Sequence, residues 1–281
     1  MAGNEAPSWK SGKPVNIEQV LRPMMVRKAM SDKRKFDIFH PSAWGYCLRK
    51  IAYQYYNEKE HFLPADPMSV DCRMERIFDT GHYTHARWQK YLADAAIVRG
   101  YWKCKCGAEY GKDNVIGTFS PAKQEGWKCR CGEKKLEYGE ILVKSPPEYN
   151  FEGHCDAVVD FRGSEYEQHC DADVFVVDFK SIKDSMYSEL TEPKHEHVIQ
   201  VHIYMWLLGL RAGVILYENK DCCMVKEMYV PRDEVLVEKI KRQAVELKAM
   251  LANRKVPLRS SDMSRFKFPC KGCEFLGVCY Q

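Results

Sequence analysis

The run Val174-Phe-Val-Val-Asp178-Phe-Lys180 constrains this chain more than any other segment. Its apolar, β-branched stretch reads as a buried strand, and it ends in a carboxylate and an ammonium two residues apart. A period of two places Asp178 and Lys180 on one side and turns Phe179 into the core. Charges at the end of so apolar a strand are costly to bury unless they bind something. The fold must therefore be built around this strand and present its end to a ligand.

The segments around it alternate. Pro41-Ser42 predicts a helix capped by Ser42 and running through Trp44 to Tyr56, and a second helix is expected over Ser69 to Ala96. Strands are expected at Ile141–Val143, Gly153–Phe161 and Val174–Phe179, with a polar turn from Arg162 to Asp173. A helix over Lys194–Leu210, strands near Val214–Tyr217 and Val225–Val230, and a charged helix from Pro231 to about Arg254 complete an α/β core. With 281 residues and 45% hydrophobic content, the chain can fill one large domain. The expected organisation is a basic arm over 1–35 and a main domain over 36–281. Within that domain, 101–138 form an inserted subdomain and 263–281 a cysteine-bearing tail. The arm carries eight Lys/Arg against three acids, a net +5, whereas the whole chain is only +4. Its alternatives are a DNA contact and a solvated leader. The longest uncharged stretch, Val198 to Leu210, is too short and too polar to span a bilayer. The N-terminus has no apolar signal region, so a cytoplasmic location is expected.

Thirteen cysteines without a secretion signal point to metal rather than disulfides. Cys104-Lys-Cys106-Gly and Cys129-Arg-Cys131-Gly are twin knuckles that supply four thiolates, a closed tetrahedral Zn²⁺ site with no position left for water. The glycine after each knuckle permits a positive φ and lets amides point at sulfur. A second set, Cys270, Cys273 and Cys279, lacks a fourth ligand nearby, and Cys47 is the candidate. Joining Cys47 to this tail closes a very long loop, and soft thiolates suit either zinc or an iron–sulfur cluster. Cys72, Cys155, Cys170, Cys222 and Cys223 are expected as small buried or half-buried residues.

Other polar groups fall into a recognisable order. Gly81, His85 and Gln89 are spaced by four on a helix and share a face. In Gly153-His-Cys-Asp156-Ala-Val-Val-Asp160, both acids fall on one face of a strand but about 13 Å apart, too far for one metal, so one of them needs another role. Gln200 and Tyr204 lie one turn apart on the helix that follows Lys180. His195 and His197 are expected as polar surface, and His82 is turned away from the face of His85.

The order G-x3-H-x3-Q, G-x-x-D, D-x-K, Q-x3-Y resembles the RecB-type branch of the PD-(D/E)XK nuclease superfamily. Cys47 with the C-terminal triplet resembles its iron–sulfur branch, which includes AddB-like nucleases and CRISPR-associated RecB-like exonucleases. The resemblance covers Pro41 to Cys279. It implies a restriction-endonuclease-like core, a mixed central sheet flanked by helices, with the zinc knuckles as an insertion. A [4Fe-4S] cluster on Cys47, Cys270, Cys273 and Cys279 would staple the N- and C-terminal parts together. It further implies that His85, Asp156, Asp178 and the Phe179 carbonyl bind a divalent cation, Mn²⁺ or Mg²⁺. Lys180 would hold or deprotonate the attacking water, and Gln200 and Tyr204 would orient Lys180 and the phosphate. An imidazole among oxygen ligands favours Mn²⁺.

The resulting expectation is a deoxyribonuclease, an exonuclease on single-stranded DNA or DNA ends in recombination, repair or CRISPR-adaptation-like processing. The alternative is a catalytically weak DNA-binding or adaptor subunit. No phosphate-binding loop occurs, so any unwinding would come from a separate helicase or recombination partner. In the insertion, Lys103, Lys105, Lys112, Lys123, Lys128, Arg130, Lys134 and Lys135 are interleaved with Trp102, Phe119 and Trp127. This suits either a single-strand platform or a zinc fold whose rings cover its own small core.

Overall fold

A computed structural model describes residues 17–31, 35–60, 72–111, 126–167, 172–260 and 263–281. Cys170, Lys112, Phe119, Lys123 and most of the basic arm lie outside the described residues. Helix α1 (Ile17–Ser31) and the start of α4 (Cys72–Asp94) belong to one small unit, in which Lys28 pairs with Asp79 at 2.6 Å.

The second unit holds the remaining elements, including α4 from Thr80 onward. Its core is a five-stranded mixed sheet built from β1 (Val98–Arg99), β7 (Ala157–Asp160), β8 (Val174–Ile182), β9 (Ala212–Asn219) and β10 (Val225–Pro231), in the order β1-β7-β8-β9-β10. Only the β8–β9 pair is parallel, and its crossover runs through α5 (Asp184–Ser188) and α6 (His195–Leu208). The period-two reading of β8 holds. Val176 joins the layer under α6 with Val201, Tyr204 and Met205, whereas Val177 and Phe179 join Trp88 and Leu92 of α4 on the opposite face. Outside α6, helix α7 (Glu234–Ala252) packs Ile240, Ala244 and Leu247 against Ile203 and against Trp44 and Ile51. The Asp233 side chain caps α7, accepting from the Val235 and Leu236 amides. His202 ties α6 to this cap: its Nδ1–H donates to the Val198 carbonyl and its Nε2 accepts from the Asp233 amide.

Three local expectations are corrected. The first core helix is broken into α2 (Pro41–Trp44) and α3 (Leu48–Glu60), with Pro41 at the helix start, His40 rather than Ser42 in the capping position, and Ser42 inside the helix. Gly45 at the break lies so close to Glu196 that a Cβ there would sit 2.5 Å from its Cα. The strand expected over Gly153–Phe161 is two strands. β6 (Glu152–Cys155) pairs with β5 (Ile141–Lys144) as a separate ribbon, and the chain then changes sheets at Asp156 to enter β7. Cys222 and Cys223 are exposed on the β9–β10 turn, where Cys223 takes φ +59, rather than buried.

The insertion forms a three-stranded sheet, β3-β2-β4, from β2 (Tyr101–Lys103), β3 (Glu109–Tyr110) and β4 (Glu137–Gly139). Trp102 is buried against Tyr138, and Trp127 packs edge-on against Tyr110, so both rings cover local core rather than stand open for stacking.

Candidate active site

The change of sheets at Asp156 creates the site. A residue between two ladders is freed from strand alternation, and Asp156 is held on both sides. Its Oδ2 accepts from the Phe179 amide at 2.9 Å, its Oδ1 lies 3.5 Å from His85 Nδ1, and its carbonyl accepts from Gln89 Nε2 at 3.0 Å. Gly153, three residues earlier, is required by close packing, because a Cβ there would meet Pro41 Cδ at 2.7 Å. Burial alone would raise the Asp156 carboxyl, but the hydrogen bond and charge of His85 outweigh it and lower the pKa. The same pair acts on His85: burial opposes its charged form, yet Asp156 raises its pKa overall.

Asp178 and Lys180 point toward α6, as alternation requires. Asp178 is fully buried. Its Oδ2 lies 2.7 Å from Lys180 Nζ without hydrogen-bond alignment, and its Oδ1 has no partner. Burial, set against the attraction of Lys180, lifts its carboxyl to about 6. Lys180 continues into a relay. Its Nζ donates to Gln200 Oε1 at 3.1 Å, Gln200 Nε2 donates to Tyr204 Oη at 3.4 Å, and Tyr204 donates to the His154 carbonyl at 2.7 Å. Burial works against the ammonium, but Asp178 and Asp156 prevail and raise its pKa. The structure thus brings together His85, Asp156, Asp178, Phe179, Lys180, Gln200 and Tyr204, all drawn from four separated stretches of sequence.

Asp160 takes the other role that its distance demanded. It is buried in β7 and paired with Arg99 of the edge strand β1 and with Arg162 Nε at 3.1 Å. His195 is exposed, but His197 is buried, contrary to the expectation of polar surface. Its Nδ1 lies 2.8 Å from Tyr217 Oη, and burial, helped by Lys180 and Lys194, lowers its pKa to about 3, so it is a neutral core group. The sequence reading missed Glu140, between β4 and β5, whose ligand atoms lie within 4.8 Å of those of His85 and Asp156. The available signal was the Ile141-x-Val143 alternation immediately after it, which puts Glu140 at the entry to a paired ribbon.

A divalent cation fits the donors His85, Glu140 and Asp156, whose ligand atoms lie within 4.8 Å of one another, and the nearby Asp178 carries buried carboxylate oxygens without a hydrogen-bond partner. The knuckle cysteines fit a closed four-thiolate site. Cys104 and Cys131 sulfurs are 3.5 Å apart, Cys106 and Cys129 are 3.6 Å apart, and all four lie within 4.8 Å of one another. A tetrahedron with metal–sulfur bonds of about 2.3 Å has edges of about 3.8 Å. Gly107 and Gly132 take φ +83 and +89, as each knuckle requires. The Cys131 amide, and then the Tyr110 hydroxyl at 3.1 Å, draw the Cys129 thiol down to about 6.

Cys47, Cys270, Cys273 and Cys279 line one pocket, although Cys47 is more than 200 residues from the other three. Cys47 stands just before α3, with the Arg49 and Lys50 amides directed at its sulfur, although burial raises its thiol overall. Arg49 Nε donates to Cys279 sulfur at 3.1 Å while its guanidinium also holds the Pro257 carbonyl, and Tyr53 stacks on Phe275.

Among the described residues no helix is long and apolar enough to cross a membrane. A CRISPR-associated exonuclease Cas4 of Saccharolobus solfataricus is 20% identical over 209 residues, 70% of this chain and 91% of that protein. Among solved structures, SSO0001 aligns over 94% of this chain and 95% of its own, with 15% identity and a TM-score of 0.45. An alkaline exonuclease of Laribacter hongkongensis aligns over 41% of this chain and 56% of its own, with 18% identity and a TM-score of 0.33. The model of the PD-(D/E)XK nuclease superfamily matches residues 47–280, a span that starts at the pocket cysteine before α3, takes in Asp156, Asp178 and Lys180, and ends beyond Cys279. On that match this chain is a member of the PD-(D/E)XK nuclease superfamily.

Proposed function

We propose that this chain is a divalent-metal-dependent deoxyribonuclease that hydrolyses phosphodiester bonds as an exonuclease on single-stranded DNA or DNA ends. The observation that carries the reading is the buried Asp178, with an unpartnered oxygen, set beside Asp156 and a lysine that is itself held by Gln200 and Tyr204. The exonuclease name of the Saccharolobus relative supports the same direction.

His85, Asp156, Asp178 and the Phe179 carbonyl would hold the cation, Mn²⁺ in preference to Mg²⁺ because of the imidazole. When bound, it supplies Lewis-acid stabilisation of the charge that builds on the phosphate. Lys180, kept protonated by its carboxylate neighbours, serves as a donor that fixes the attacking water or a phosphate oxygen. The relay through Gln200 and Tyr204 to the His154 carbonyl fixes the direction of that donor, since Lys180 alone has a flexible four-carbon stem. The Cys104, Cys106, Cys129 and Cys131 site suits structural zinc. The Cys47, Cys270, Cys273 and Cys279 set suits a [4Fe-4S] cluster that ties α3 to the tail. Two thiolate sets of this kind suit a reducing compartment.

A cleft of about 670 Å³ runs beside α4 from Gln89 to the insertion and is lined by Lys90, Lys105, Lys134 and Lys135. These lysines suit a phosphate backbone, and Gln89 at one end touches Asp156, so the cleft gives a strand a path to the site. Digestion of 5′- and 3′-labelled single- and double-stranded DNA, with and without Mn²⁺, tests the reading. Mn²⁺-dependent shortening from an end is expected, and intact DNA bound without cleavage would instead favour an adaptor.

A further inference from the structure

Strands β5 and β6 pair antiparallel with Ile141 opposite Cys155. Immediately beyond that terminal pair, outside the ladder, come Glu140 on one strand and Asp156 on the other. The ligand atoms of His85, Glu140 and Asp156 lie within 4.8 Å of one another. Ligands at about 2.1 Å from an octahedral cation stand roughly 3 Å apart when adjacent and roughly 4.2 Å when opposite, so small closing movements complete the set. Gln89, one turn beyond His85 on α4, donates from Nε2 both to Glu140 Oε1 at 3.1 Å and to the Asp156 carbonyl at 3.0 Å. Glu140 is therefore held beside Asp156 by a neutral amide, and among the described residues no lysine or arginine pairs with it. Two carboxylates kept together in a part-buried site, with the His85 imidazole beside them, offer a divalent cation more negative charge than one imidazole can balance.

We propose that Glu140 is a direct ligand of the catalytic cation, joining His85 from α4 and Asp156 from the β6–β7 junction. Gln89 is the positioning residue that holds Glu140 in place. The inference rests on the metal-dependent reading above and adds a carboxylate that the family's motif order does not contain. A further anionic ligand raises the affinity of the site for the ion itself, independently of DNA.

The test is a titration of the intact protein with Mn²⁺, zinc and cluster in place, following loss of the free-ion electron paramagnetic resonance signal. Glu140→Gln should weaken Mn²⁺ binding by more than about 100-fold, beyond the roughly 10–100-fold that loss of an outer-shell partner usually costs. Glu140→Asp, which keeps the charge on a shorter arm, should fall between. Gln89→Met should weaken binding less, and the double variant Gln89→Met/Glu140→Gln should be no worse than Glu140→Gln, because both act on one ligand. Far-UV circular dichroism should match wild type throughout. Wild-type Mn²⁺ affinity in Glu140→Gln, with loss in Asp178→Asn, overturns the role of Glu140 and leaves the nuclease site standing. Loss in Glu140→Gln with retention in Asp178→Asn upholds Glu140 and moves the cation away from Asp178. Retention in both overturns both assignments.

Discussion

Replacing Asp178 with Asn separates what this carboxylate does for stability from what it does for chemistry. Its pKa rises from an ordinary 3.8 to about 6 in the fold, with burial as the main cause. The unfolded chain holds the proton less tightly than the native one, so this group favours the native state fully below pH 3.8 and loses that advantage as pH rises through about 6. Two units at 1.36 kcal/mol each set the full effect at about 3 kcal/mol. Between pH 5 and pH 8, about 1.4 kcal/mol of it is expressed. For 281 residues, an unfolding entropy of about 0.6 kcal/mol per degree turns that into roughly 2 °C. The measurement is the melting temperature of wild type and Asp178→Asn, without added Mn²⁺ or Mg²⁺, at both pH values. Asp178→Asn should gain about 2 °C relative to wild type on going from pH 5 to pH 8. Loss of the Asp178 contact by Lys180 adds an offset that does not vary in this range, because Asp156 still helps keep that ammonium protonated. Mn²⁺ at 100 times its dissociation constant should then stabilise wild type at pH 8 by about 2.7 kcal/mol and leave the variant largely unmoved. Identical pH profiles for the two proteins would refute the raised pKa of this buried carboxylate.

Cys47→Ser and Cys273→Ser should each bleach the purified protein's visible absorption and lower its iron content to the same degree, because both remove a ligand of one cluster; protein prepared without air that is colourless and iron-free would discard the cluster. Reversing Lys105, Lys134 and Lys135 to Glu should weaken single-stranded DNA binding and flatten its dependence on salt, as read by fluorescence anisotropy at several salt concentrations. Tyr204→Phe removes the hydrogen bond to the His154 carbonyl and should lower the maximal cleavage rate more than it raises KM, since it disturbs only the aim of Lys180.

Periodicity made much of this architecture legible. Alternation in β8 placed Asp178 and Lys180 on one face and Phe179 on the other, and helical spacing put Gln200 and Tyr204 one turn apart. Cysteine spacing made the knuckles legible, and the unpaired C-terminal triplet led to Cys47, which lines the same pocket. Periodicity failed where the chain leaves a regular element. It treated 153–161 as one strand, and so could not show that Asp156 sits between two ladders or that Glu140 comes within reach of it. It also placed His197 at the surface, because a helix start reads as exposed unless another element covers it, and here Tyr217 of β9 does. The rings of the insertion were ambiguous for a related reason: burial of Trp102 depends on Tyr138, a partner 36 residues away that forms only when β2 and β4 pair.

The most direct measurement is single-turnover cleavage of end-labelled single-stranded DNA in Mn²⁺ by wild type and Lys180→Ala, with DNA affinity measured in parallel. If Lys180 is the donor that fixes the reacting groups, the variant should lose at least about 100-fold in rate, the scale set by removal of one transition-state donor, while its affinity for DNA changes little. A Lys180→Ala protein that cuts at the wild-type rate would contradict the account.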